Sequence, residues 1–207
     1  MTAFLDTITI AAQSFRLEVP RAFSRLAGGQ VIPSRIGAHY WRGSIDIPPS
    51  YHRDALHELD LMALDQIGAT FLAYDARFNG PRMDPGGTIL GTASPEIHTL
   101  NADNQRMRVS GLPGGYVLMR GDYIGWLYGN SPVRYALHRL DEDVTASGAG
   151  LTPLFAVEPR IRQGASTGLP VVLVRPVCRA LITASQYGNA RPVITEGASF
   201  EWQETLR

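Results

Sequence analysis

Lysine is missing altogether: every basic residue is an arginine, and 19 basic residues are balanced by 19 acidic ones. Charged residues make up only 18% of the chain, below the usual quarter. With no net charge and no basic tail or stripe, the sequence lacks the electrostatic footprint of a duplex nucleic-acid binder. The all-arginine usage fits bidentate pairing across subunit contacts, although codon bias in a GC-rich genome accounts for it more simply. Cysteine is nearly absent. Cys178, the single one, cannot form an internal disulfide, and its place in an apolar run reads as a small buried hydrophobe. Long apolar runs are also missing, and no segment approaches the ~18 residues that a membrane-spanning helix needs. The start, Met1 to Phe15, has no basic stretch and carries Asp6 among its apolar residues. It does not read as a secretory leader, so the protein is expected to stay where it is made or to leave as part of a particle.

What the sequence has is apolar material in short pieces. Hydrophobic residues make up 44% of 207 residues, enough for a substantial core and too many for a disordered chain. The 21 glycines and 14 prolines fall mostly in small clusters. Between them lie runs of four to eight residues rich in β-branched and aromatic side chains, the rhythm of a mostly β domain. Expected strands are 15–19, 30–33, 40–47, 70–74, 106–110, 116–120, 123–128, 134–140, 151–157, 171–174, 179–184 and 200–206. The pair Gly121-Asp122 suits a tight turn and predicts a meander of the strands 116–120, 123–128 and 134–140.

The segment 52–67 differs. Leu56, Leu59, Ala63, Leu64 and Ile67 form a helical stripe, broadened by Leu61 and Met62, with Gly68 placed to end it. One amphipathic helix, more than half covered, is expected there. The Gly- and Pro-rich stretch Asn79 to Pro95 reads as a long ordered loop or arm. The expected architecture is a β-sandwich or split β-barrel with one helix. It forms a single domain over residues 1–207, with an inserted lobe or arm at about 79–110.

Motifs that would carry catalysis fail on context. Gly164-Ala-Ser166-Thr-Gly168 matches a nucleophile elbow in letters, but a strand follows it where a helix is needed. His57-Glu58 opens like a zinc-helix motif, yet position 61 is Leu, so the second imidazole is missing. His39, His52, His57, His98 and His138 read as packing or surface residues, and no metal site is expected. The run Asp141-Glu142-Asp143 lacks the alternating oxygens of a calcium loop and reads as a solvated strand end. Asp75, Asp84 and Asp103 lie near loops, where a carboxylate pair could serve glycoside hydrolysis, but nothing in the sequence sets their spacing. Tyr40, Trp41, Tyr116, Tyr123, Trp126, Tyr128, Tyr135 and Trp202 fall on strands, as core and contact residues or as a sugar-binding platform. No catalytic residue, metal ligand or cofactor site is assigned.

The order of features carries more than any single motif. Trp41-Arg-Gly-Ser-Ile-Asp-Ile-Pro-Pro precedes the helix, and Gly68-Ala-Thr-Phe-Leu-Ala-Tyr-Asp follows it. Asp84-Pro-Gly-Gly comes next, then Gly111-Leu-Pro-Gly-Gly-Tyr-Val-Leu-Met-Arg-Gly-Asp-Tyr-Ile-Gly. Leu137-His-Arg-Leu-Asp-Glu-Asp-Val-Thr-Ala-Ser-Gly-Ala-Gly leads to Val157-Glu-Pro-Arg-Ile-Arg and Val172-Leu-Val-Arg-Pro. Over roughly residues 35 to 182 this resembles the distal tail, or baseplate, proteins of long non-contractile-tailed phages and phage-like particles. Ser147 departs from the pattern, where an acidic residue is more usual. The resemblance implies a structural virion protein and not an enzyme. It implies a homo-oligomeric ring, six-fold, at the distal end of the tail tube, assembled in the host cytoplasm. Such a ring joins the tube protein to the hub and receptor-binding parts. The alternative is a carbohydrate- or receptor-binding β-module of a tail tip. Neither reading involves a cofactor, sequence-specific nucleic-acid recognition or membrane insertion.

Overall fold

The computed structural model describes residues 4–51 and 56–206. In chain order its first elements are β1 (Ala12–Glu18), β2 (Arg21–Arg25), β3 (Val31–Arg35), β4 (Tyr40–Ile47) and β5 (Ser50–Tyr51). Next come the helix α1 (Leu56–Ile67), then β6 (Thr70–Ala73), β7 (Glu96–Leu100), β8 (Arg106–Ser110) and β9 (Val117–Leu118). The strands β10 (Tyr123–Tyr128), β11 (Arg134–Leu140), β12 (Val144–Thr145), β13 (Phe155–Glu158) and β14 (Val171–Val172) follow. The last are β15 (Cys178–Tyr187), β16 (Ala190–Arg191), β17 (Ile194–Thr195) and β18 (Ala198–Glu204). The protein is mostly β with one helix among the described residues, and its sheets curl into a half-barrel and a nearly closed barrel.

The half-barrel is antiparallel, in the order β1-β4-β18-β15-β6. Its core follows from strict alternation. Along β4, Trp41, Gly43, Ile45 and Ile47 point inward, and Arg42, Ser44 and Asp46 point outward. On β18 the inward set is Ala198, Phe200, Trp202 and Glu204. Gly43 sits between Phe15 of β1 and Trp202 of β18 in register. A methyl group there would meet the Ser14 carbonyl at 2.1 Å and the Trp202 ring at 2.8 Å. Glycine is thus the side chain that lets Phe15 and Trp202 close over β4, with ring centroids 5.2 Å apart. Phe4, Phe71, Phe200 and Trp41 extend the same aromatic core.

The six-stranded sheet runs β14-β10-β11-β13-β8-β7. Its two edges meet. The Ile97 amide donates to the Leu169 carbonyl at 3.0 Å, the Gly168 amide to Ile97 at 2.8 Å and the Val171 amide to Pro95 at 2.8 Å. Closure leaves this part of the sheet with no open edge. Ile97, Met107, Leu118, Ile124, Leu140, Phe155 and Val157 fill the interior. The barrel segment leaves the half-barrel after β6 and returns at β15, and these two strands pair with each other. Tyr123 and Leu137 of the barrel segment pack into the half-barrel core, and the Trp41 indole donates to the Leu137 carbonyl at 2.7 Å.

Three expectations need correction. The meander forms only in its second half: β10 and β11 pair as expected, but β9 pairs with β12 and not with β10. Asp122 explains why: it is fully buried, and its carboxylate accepts the Met119 and Arg82 amides at 2.8 and 3.1 Å, so 119–122 closes as a separate turn. The helix forms over Leu56–Ile67, but part of its expected stripe stays in water. Leu61 is buried and Leu64 packs on the half-barrel core, but Ala63 and Ile67 are exposed, on a helix that lies against β15. The expected helical residues 52–55 lie outside the described residues. Finally, β2, β5, β7, β12, β16 and β17 were not anticipated.

Candidate assembly surface

The residues with catalytic character are each consumed by the fold. Asp84 is buried in the 79–95 loop, which folds back on its own chain. Burial would raise its pKa, but the Leu90 and Ile89 amides at 2.8 and 3.1 Å, with the Tyr116 hydroxyl at 3.1 Å, hold it below the usual range. Asp103 accepts the Gln105 and Arg106 amides and caps a tight turn, which lowers its pKa too. His138 is buried and stacked on Trp126, 4.4 Å between centroids, and shares a 2.7 Å hydrogen bond with the Pro159 carbonyl. Burial pushes its pKa down to about 4, so it is a neutral packing residue at pH 7. Cys178 is fully buried, which pushes its thiol pKa up and leaves it unreactive. Ser166 stands in the loop between β13 and β14 with no helix after it. His98 is exposed and bonded to Thr99, and His39 is half-buried beside β4. His52 lies outside the described residues. No group of three or more His, Cys, Asp or Glu able to hold a metal occurs among the described residues.

The strand aromatics go inward. Trp41, Tyr116, Tyr123, Trp126, Tyr128 and Trp202 are all buried, and only Tyr40 and Tyr135 of that set are half-exposed. The acidic run is also used locally, Glu142 accepting the Ala156 amide and Asp143 the Arg120 amide. A cleft of about 800 Å³ opens where the two sheets adjoin. It is lined by Arg77, Arg82, Arg120, Arg139, Tyr123 and Asp141 among others. Asp75 takes the Arg77 guanidinium in a two-point fork, 2.9 Å at each oxygen, and lies 3.3 Å from the Tyr123 hydroxyl. Burial, with Asp75 adding to it, pushes Tyr123 up to about 12. Burial likewise raises Asp141, reinforced by Glu158. Arg77, Arg82 and Arg139 are each held by a carboxylate, and the cleft brings no nucleophile, base and orienting partner into a row among the described residues.

The feature with no internal use is the ribbon β2–β3. It pairs only with itself and carries large apolar side chains in the open: Phe23 is 64% exposed, Ile36 67% and Leu26 50%, with Val31 and Ile32 close behind. Its register places Arg21 opposite Arg35, Phe23 opposite Pro33 and Arg25 opposite Val31. Directly opposed residues share a face, so all three arginines surround Phe23 on one side. Ala22, Ser24, Ser34 and Ile32 make the other. The Leu26 amide donates to Gln30 at 3.0 Å and the Gly29 amide to Leu26 at 2.9 Å, closing the tip. Gly29, at φ 82°, supplies the left-handed turn residue. A strand at 30–33, overlapping β3, is expected from the sequence, but β2 and the pairing that makes an arm are not. Two signals could have found it: Gly28-Gly29 between short alternating runs, and the absence of any carboxylate between Glu18 and Asp46.

Compared with known proteins, the sequence matches no family model and no curated protein. No helix among the described residues is long and apolar enough to cross a membrane.

Proposed function

We propose that the chain is a structural subunit of a phage or phage-like tail tip, forming a closed ring at the distal end of the tail tube. In this role it is a scaffold and not a catalyst. It joins the tube to the hub and receptor-binding components, within a tail assembled in the host cytoplasm. The ordered series of segments between residues 35 and 182 is the sequence support. The exposed arm β2–β3 is the structural observation that carries the reading. An isolated two-stranded ribbon is marginal in water, and this one keeps five large apolar side chains wet. Such a ribbon gains its stability by lying on another molecule. A ring subunit also needs rigid β-scaffolding and contacts that close by rotation, and the two packed sheets supply the first.

The test is the native mass of the purified protein across a concentration series, with negative-stain images of the same fractions. Closed rings of uniform subunit number, six by the resemblance, are the expected result. A monomer at every concentration, also in the presence of isolated tail tubes, would remove the ring and leave the receptor-binding module, for which glycan binding is then measured.

A further inference from the structure

The arm leaves one end of the half-barrel, between Glu18 of β1 and Tyr40 of β4. The other end of the same sheet lies about 23 Å away along β4, at ~3.3 Å per residue. Two adjoining hollows occupy that far end, sharing Gln186 and Ser199 and holding about 500 and 340 Å³. Asp46, Glu196 and Glu201 line them, and no arginine does. Glu196 is held by Arg191 and Glu201 by Arg42, while Asp46 has no ion-pair partner among the described residues. Beside the hollows stands the small sheet β16-β17-β5, which exposes Tyr51, Val193 and Ile194. Val193 is 70% exposed and sits at φ 75° in the turn between β16 and β17. A β-branched residue is strained there.

The two ends of the sheet are therefore complementary. One presents a ribbon with three arginines around an aromatic ring and no carboxylate. The other presents Asp46, unpaired among the described residues, beside Glu201 and Glu196, which Arg42 and Arg191 hold, and near the exposed Tyr51, Val193 and Ile194. Within the ribbon Arg21 faces Arg35, a like-charge pair that destabilises it unless an acidic surface lies opposite. The base of the arm and the hollows of the same copy lie at opposite ends of the sheet, which suits a contact between copies. Contacts of this head-to-tail kind join unlike patches and close into rings by rotation.

Resting on the ring-subunit reading, we infer that the arm of one copy docks in the acidic hollows at the far end of the half-barrel of the next. Phe23 is the central anchor, and Arg21, Arg25 and Arg35 gather around Asp46, the carboxylate of the hollows that has no ion-pair partner among the described residues. The arm thereby sets both the direction of the ring and the identity of the contacting subunit.

The experiment joins charge reversal to cross-linking. Arg21→Glu/Arg25→Glu/Arg35→Glu changes exposed residues only, so its melting temperature stays near that of the parent while association weakens at least tenfold. Asp46→Arg alone weakens association as well, and the two sets combined restore part of it. In parallel, Phe23→Cys with Ser199→Cys is oxidised at high concentration. The expected product is a ladder of disulfide-linked multimers that ends in a closed species. Rings that survive the triple reversal, with no ladder, overturn the arm contact and leave the ring reading intact. A monomer with no ladder overturns both. Salt-sensitive binding of a DNA duplex, lost in the triple reversal and with no ladder formed, also overturns the contact and makes the arm a nucleic-acid ribbon.

Discussion

The closed barrel and the arm are built from the same element, the antiparallel strand pair, with opposite outcomes. In the barrel, edge meets edge through the amides of Ile97, Gly168 and Val171, and Phe155 is fully buried. In the arm both edges stay open and Phe23 is mostly exposed. The barrel's stabilisation is internal, from apolar area removed from water at ~25 cal/mol per Å². The arm has the same kind of side chains and receives much less of that term from its own chain. A phenylalanine on a strand therefore says nothing about fold stability until its neighbours are known.

The contrast can be broken most directly with one substitution in each region. Phe155→Ala is expected to cost about 3–5 kcal/mol, and Phe23→Ala less than ~0.5 kcal/mol. Urea unfolding of the dilute monomeric protein reads both, and similar losses at the two sites would contradict the division drawn between them. Next in size is the pH response of the barrel. His138 titrates at about 4 when folded, against an ordinary 6.5, so between these values the unfolded chain binds a proton that the folded chain does not. Stability therefore declines as pH falls from 6.5 to 4, by an amount on the order of 3 kcal/mol. His138→Phe should flatten that part of the curve. Gly43→Ala tests the half-barrel in the same terms. A methyl group pressed on the Ser14 carbonyl and the Trp202 ring should cost about 1–3 kcal/mol, seen as a lower melting temperature with unchanged association. The last effect has the opposite sign: Val193→Gly relieves a left-handed backbone and should stabilise the fold by ~1 kcal/mol. A loss of stability there would show that Val193 packs within its own subunit.

Strands with one buried face were legible in the sequence. The boundaries of β4, β8, β10 and β11 match the expected runs, because alternating inward residues such as Trp41, Ile45 and Ile47 write a period of two into the chain. The first strand of the arm, β2, writes no such contrast. Neither of its faces is buried, so Arg21, Phe23 and Arg25 alternate without a contrast between apolar and polar, and β2 went unseen. Pairing was less legible than existence. Nothing local tells β9 to join β12, since that choice depends on Asp122 finding the amide of Arg82, forty residues earlier. Barrel closure has the same character, depending on Glu96 meeting Pro170. Of the candidate site, the sequence showed the scarcity of catalytic groupings and the arginine-only charge. It did not show that the arginines of residues 21–35 share one face, which is a matter of register.

The adjacency of β6 and β15 has a consequence for how the molecule can change. About a hundred residues separate Ala73 from Cys178, yet the two are cross-strand partners. To the half-barrel, the whole barrel is a single loop spliced into one hairpin. Closing such a loop costs only ~0.6 kcal/mol more for each doubling of its length. The inserted segment is thus free to lengthen, shrink or be exchanged over evolutionary time, while the strand order of the sheet that receives it stays the same.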